Sequence, residues 1–243
     1  MTAAPHDPRH PGRSGDVGVG EVGLLEGIMT TRAMRRYTDE PVTDDEIWTC
    51  LRAAVQAPSG GNIQPYQFVV VRDAELKQRI GAVYLQAWQR YGAATEAAMG
   101  DRFPSEGARA AWRRNVAASD HLARNLAAAP VLVLVLMPDI EMTVTDADGV
   151  MDVGPTYASV YPAVQNFVLA ARALGLGTVL TTVYRIHEDE VREICGIPER
   201  YQVVALLPVG RPRGTFAVAP RARGAEAITS WDRYGERRSA PSA

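Results

Sequence analysis

This sequence has almost no lysine. Among its 26 basic residues only Lys77 is one, so nearly every cation is a guanidinium, a planar fork suited to phosphate or carboxylate. A surplus of charge is missing as well. A net charge of −2 over 243 residues argues against general affinity for nucleic acid or a membrane surface. Cysteine is scarce: Cys50 and Cys195 form no C-x-x-C pair and imply no disulfide framework, so both read as small core residues of helices. No apolar run approaches the roughly 20 residues of a membrane span. The first 20 residues contain no apolar segment of the secretory type, and a cytoplasmic location is the expectation. What remains is ordinary for a globular chain, with 47% hydrophobic and 22% charged residues, and it is long enough to bury a sizeable core.

Residues 1–20 are rich in Pro, Gly, His and Arg and read as a flexible tail. The tail runs into GVGEVG, where Gly18, Gly20 and Gly23 match a dinucleotide fingerprint. No strand precedes it, and the pattern carries meaning only between a strand and a helix. A helix is expected over about 22–34, with Leu24, Leu25, Ile28 and Met29 on one face. TDDE at 43–46 is a capping box, with Thr43 as cap and Glu46 reaching back. Ile47, Leu51, Ala54 and Val55 then follow at helical spacing until Pro58. YQFVVV (66–71) reads as a buried strand, followed by helices over about 74–99 and 107–128 with a break at 100–106. VLVLVLM (131–137) reads as a central strand, IEMTVTDADG as a loop, and 156–173 as a buried helix. A strand at 178–182, a short helix ending at CGIP and a strand at 203–210 complete the pattern. Residues 211–243 are arginine-rich and lack a core element. With no repeat and no linker, residues 21–243 read as one α+β domain.

Four stretches hold candidate chemistry: TRAMRRY (31–37), PSGGNIQP (58–65), GLGTVLTT (175–182) and PRARG (220–224). Singly, each has a structural explanation. Arginines suit a helix C-terminus, PSGGN suits a helix stop and turn, GLG suits a helix end before a strand, and PRARG suits a frayed tail. Together they describe something else. Arginines from both ends of the chain can grip a phosphate through bidentate, charge-assisted bonds. Glycines admit a flat ring close to backbone, and Ser59, Asn62 and Gln64 offer donors and acceptors for imide edges.

Taken in order, RAMRRYTDEPV (32–42), APSGGNIQPYQFVVV (57–71), ARALGLGT (171–178), PVGRP (208–212) and a final arginine pair before WDR (231–233) resemble the FMN-dependent nitroreductase superfamily over about residues 24–235. The resemblance implies a three-layer α+β sandwich around a small, mainly antiparallel sheet. It implies a homodimer holding two FMN molecules at its interface, with residues 211–243 crossing to the partner as an arm. Carried over by motif, Arg32 faces phosphate and ribityl oxygens, and Arg35 faces N1 and O2 of the flavin, with Arg36 as the alternative one residue on. Ala33 and Thr31 depart from the common serine and arginine. Pro58, Ser59, Gly60 and Asn62 would approach the ring from the second subunit, Thr181 or Thr182 would offer a backbone N–H to N5, and Arg221 and Arg223 would close on the phosphate. The implied activity is ping-pong reduction of a nitroaromatic, quinone or similar small aromatic electron acceptor by NAD(P)H. The flavin carries that chemistry, so no catalytic side chain and no metal is assigned. Phe103 and Trp112 are candidates for the acceptor pocket. The same resemblance leaves open flavin fragmentation, reductive dehalogenation and plain FMN sequestration. A nucleic-acid role is disfavoured, because no aromatics interleave with the basic clusters.

Overall fold

Valine and leucine alternate through residues 131–136, and a strand sends alternate side chains to opposite faces. In the computed structural model these residues form β2 (Val131–Pro138). Val131, Val133, Val135 and Met137 pack to one side, and Leu132, Leu134 and Leu136 to the other. Helices cover both faces, which is why the strand is apolar at every position. The structure describes residues 22–99, 102–139, 143–152, 157–221 and 223–239. The expected tail at 1–20, with Gly18 and Gly20 of the GVGEVG match, lies outside the described residues.

The sheet is antiparallel, ordered β1 (Gln67–Val71), β2, β6 (Tyr201–Gly210), β5 (Gly177–Thr178). One helical layer contains α2 (Asp44–Ala54) and α5 (Tyr157–Ala173), which bury Ile47, Cys50, Val160, Val164 and Phe167 against the valine face. The other contains α3 (Ala74–Met99), α4 (Glu106–Asn125) and α6 (Glu188–Cys195), which bury Ile80, Tyr84, Leu122 and Val191 against the leucine face. This is the α+β sandwich that the motifs imply. A β-bulge interrupts the β2–β6 ladder: Val135 opposes Ala205, yet Leu136 opposes Val203. Val204 and Ala205 therefore both turn to the α2/α5 side, while Leu206 faces α3 and bridges Thr181. An extra residue of this kind re-aims the strand.

The capping box forms as expected. Thr43 Oγ1 accepts from the Glu46 N–H at 3.2 Å, and Glu46 Oε2 accepts from the Thr43 N–H at 2.9 Å. The other Glu46 oxygen pairs with Arg211 at 2.6 Å, and Arg211 also donates to the Leu174 carbonyl at 3.1 Å. Burial pushes the Glu46 carboxyl up. The Thr43 N–H and the bond and charge of Arg211 outweigh that and hold it below the usual range. One buried carboxylate thus ties α2 to the end of α5 and to the residue after β6.

Several expectations need correction. The first helix, α1 (Leu24–Thr30), stops four residues early because Thr31 turns extended. Residues 31–38 then run beside β5 and 211–213, with Met34 N–H bonded to the Thr178 carbonyl and Thr38 N–H to that of Arg211. The apolar face of α1 is not packed: Leu24 and Leu25 are 74% and 75% exposed. α2 ends at Ala54, short of Pro58. β1 is an edge strand with Gln67 and Val70 exposed, not a buried one. The strand expected at 178–182 is confined to Gly177–Thr178 plus the single bridge at Thr181. The expected loop holds a hairpin, β3 (Thr143–Asp146) and β4 (Gly149–Asp152). Cys50 is buried and Cys195 half-buried, both as free thiols. Among the described residues of 211–239 the only helix or strand is the short α7 (Ala225–Ile228), and most of these residues are exposed. No helix among the described residues is long and apolar enough to cross a membrane.

Candidate functional site: an arginine-walled cavity

The extended course of residues 31–35 sets the site. It lays Arg32, Ala33 and Arg35 along one wall of a cavity of about 590 Å³. Thr178, Val179 and Leu180, between β5 and the Thr181 bridge, form a second wall. α5 supplies a third through Tyr161, Val164, Gln165 and Val168, spaced to share one helix face. Arg221 reaches the same cavity from the C-terminal segment. No carboxylate lines it. Among the described residues, no acidic partner pairs with Arg32, Arg35 or Arg221. Three unneutralised guanidinium groups beside an apolar wall are chemically matched to a ligand with a phosphate at one end and a flat ring at the other.

Arg35 also acts on two phenols behind the wall. Burial pushes the Tyr37 hydroxyl far up, with the Arg35 charge opposing it. Burial raises Tyr84 as well, opposed by its bond to Thr181 and by Arg35. Both phenols therefore stay neutral at ordinary pH and leave the Arg35 charge unspent. Arg36 lies elsewhere: it is exposed, it does not line the cavity, and its charge adds to burial in lowering His121. Of these two arginines, Arg35 lines the cavity and Arg36 does not.

Residues 28–211 match the nitroreductase family. The chain belongs to that family. It is similar to a protein of Archaeoglobus fulgidus named "Putative NADH dehydrogenase/NAD(P)H nitroreductase", at 29% identity over 78% of this chain and 85% of the relative. It is also similar to an FMN reductase [NAD(P)H] of Bacillus subtilis, at 26% identity over 82% of this chain and 69% of that one. Among solved structures, an iodotyrosine deiodinase bound to FMN and 3-iodo-L-tyrosine shares the fold, with a TM-score of 0.65 and 23% identity, covering 86% of this chain and all of the other.

Not every residue expected at the site of this nitroreductase-family chain converges on the cavity. Arg223 donates to the Ala227 carbonyl at 3.1 Å and, unlike Arg221, does not line the cavity. The Thr181 N–H is already bonded to the Leu206 carbonyl at 3.0 Å, and its hydroxyl meets Tyr84 Oη at 2.8 Å. Thr182, the neighbouring candidate, begins the turn at 183–187. Phe103 and Trp112 touch each other, with ring centres 5.3 Å apart. Trp112 lines a separate cavity with Trp88 and Tyr91.

The loop of Pro58, Ser59, Gly60 and Asn62 is also outside the cavity. Its Gly60 N–H bonds Ser159 Oγ at 3.1 Å, and Ser59 Oγ accepts from the Gln64 N–H at 3.0 Å. At 100° per residue, Ser159 lies on the side of α5 opposite Tyr161 and Gln165. The loop is held in an unusual shape, with Gly61, Asn62 and Gln64 all at positive φ. Such backbone persists only where the surroundings over-determine it. Gly177, by contrast, serves packing: a Cβ there would stand 2.9 Å from Met34 Cβ. Tyr161, Val164, Gln165 and Val168 are the α5 wall residues that sequence reasoning missed. Their signal was present, as polar Tyr161 and Gln165 recur at i and i+4 in a helix otherwise rich in apolar residues.

Proposed function

We propose that this protein is an FMN-dependent oxidoreductase that reduces small flat electron acceptors, nitroaromatics and quinones among them, with NAD(P)H. The observation that carries the reading is the cavity wall on which Arg32, Arg35 and Arg221 stand with no carboxylate among them. Family membership and the FMN reductase of Bacillus subtilis support it. When bound, FMN supplies the hydride transfer between NAD(P)H and the acceptor. The chain's own task is to bind and polarise. Arg32 and Arg221 would hold the phosphate, and Arg35, half-buried in front of neutral Tyr37 and Tyr84, would stabilise negative charge developing at the pyrimidine edge. The unspent N–H groups of the 180–182 segment would serve N5, with Thr182 favoured because Thr181 is engaged.

The working unit would be a homodimer, with the Pro58–Asn62 loop completing the ring pocket of the other subunit. Two features support this. α1 leaves Leu24, Leu25, Ile28 and Met29 exposed, and the loop is separated from its own cavity by α5. The test is direct: heat-release the cofactor from purified protein, identify it by chromatography, and vary NAD(P)H against a quinone. FMN with parallel double-reciprocal lines is expected. Release of FAD, or no flavin uptake after reconstitution, would overturn the reading.

A further inference from the structure

Arg172 is a buried cation with weak partners. It sits in the last turn of α5 at 8% exposure. Its Nε donates to Thr30 Oγ1 at 3.0 Å, and its guanidinium stands 4.1 Å from the centre of the Phe216 ring. The nearby carboxylate, Glu26, stays 3.7 Å away with its side chain 61% exposed. Burying a guanidinium on these terms costs free energy that an apolar residue would not, so what the charge touches matters. Thr30 closes α1, two residues before Arg32. Phe216 lies in the C-terminal segment, five residues before Arg221. Arg172 itself follows Val168 by one helical turn, on the α5 face that walls the cavity.

The C-terminal segment is fastened to the body where it leaves β6. Arg211 is held by Glu46 and Leu174, and Arg213 by the Arg36 and Tyr37 carbonyls. Beyond Arg221, Arg223 holds the Ala227 carbonyl. Among the described residues no hydrogen bond fixes 214–221, and the guanidinium over the Phe216 ring is a contact that ties this stretch to the body.

We propose that Arg172 is a positioning residue for the anion site. It sets the separation of Arg32 and Arg221 by holding the end of α1 through Thr30 and the C-terminal segment through Phe216. This rests on reading the cavity as an FMN phosphate site. It implies that Arg221 contributes its full share only while Phe216 is stacked.

A double-mutant cycle on the full chain tests this, with FMN affinity read from quenching of flavin fluorescence. Phe216→Leu keeps an apolar side chain but loses the ring quadrupole, and should weaken FMN binding roughly tenfold. Phe216→Trp should retain wild-type affinity. In an Arg221→Ala background, Phe216→Leu should cause little further loss, because the group it positions is gone. Arg172→Met should lose more than Phe216→Leu, and should keep part of its loss in the Arg221→Ala background because it also releases Thr30; if it fails to fold, the Phe216 series alone carries the cycle. Unchanged affinity in Phe216→Leu, or an equal loss with and without Arg221, would reduce the contact to packing and overturn the proposal. Wild-type affinity in Arg221→Ala would instead overturn the phosphate-site reading, and the positioning role with it.

Discussion

At the scale of single residues, charge without a partner is the decisive feature. Arg221 and Arg223 are two positions apart and read identically in sequence, yet one lines the cavity and the other binds a backbone carbonyl. Arg221→Ala should weaken FMN binding by about 1.5–3 kcal/mol, the worth of a charge-assisted bond, with a smaller loss at high salt, where screening already weakens that bond. Arg223→Ala should change it far less. Titration of the two variants side by side checks this, and equal losses would restore the paired reading. Glu46 gives a second residue-scale prediction. Its folded pKa lies below the ordinary value of 4.5, so its contribution to stability is present above that value and is lost as pH falls through the folded one. Glu46→Gln should cost about 2–4 kcal/mol at neutral pH and flatten the decline of stability below about pH 4.5. A variant as acid-sensitive as wild type would contradict it. The capping box was readable because both members lie within four residues. The pairing of Glu46 with Arg211 was not, since 165 positions separate them.

At the scale of elements, legibility followed burial. The alternating run at 131–137 was readable because each face meets its own helical layer. Residues 178–182 look equally strand-like, but the chain leaves the ladder after Thr178 to wall the cavity and returns only at Thr181. Local propensity cannot report that departure. The hairpin at 143–152 was hidden for a different reason, since two four-residue strands paired only with each other make a weak pattern. The close approach of 31–37 to β5 makes a sharp prediction about glycine. Gly177→Val would drive a side chain into Met34 and Pro212, whose carbons lie 2.9 and 3.0 Å from the added Cβ. It should lower stability by about 1–3 kcal/mol and reduce flavin content together, because the segment it displaces carries Arg32 and Arg35. Thermal denaturation with flavin absorbance on the same sample reads both. Loss of neither would mean the segment is not seated as described.

At the scale of the whole molecule, the loop with which the chain enters β1 lies outside its own cavity, held by bonds such as that from the Gly60 N–H to Ser159 Oγ. A Cβ at Gly60 would meet nothing closer than Ser159 Oγ at 3.7 Å, so Gly60→Val should leave the chain folded. If the loop serves a partner's flavin, that variant should nevertheless lose occupancy. Mixing inactive Gly60→Val and Arg35→Ala proteins under subunit exchange should restore roughly a quarter of wild-type activity, the share of intact pockets under random pairing in a two-fold dimer. Verified exchange without recovery would put both residues in one subunit's pocket. The motif order implies this arrangement, whereas the exposed α1 face and the separation by α5 could not be read from sequence, because both depend on how distant segments pack. The most direct measurement asks the cavity itself what it holds: titration of flavin-free protein with FMN and with riboflavin, which lacks the phosphate. FMN should bind at least tenfold more tightly, consistent with one or more charge-assisted bonds, and Arg221→Ala should shrink that margin. Equal affinity for the two flavins would contradict the assignment of the arginine wall to phosphate.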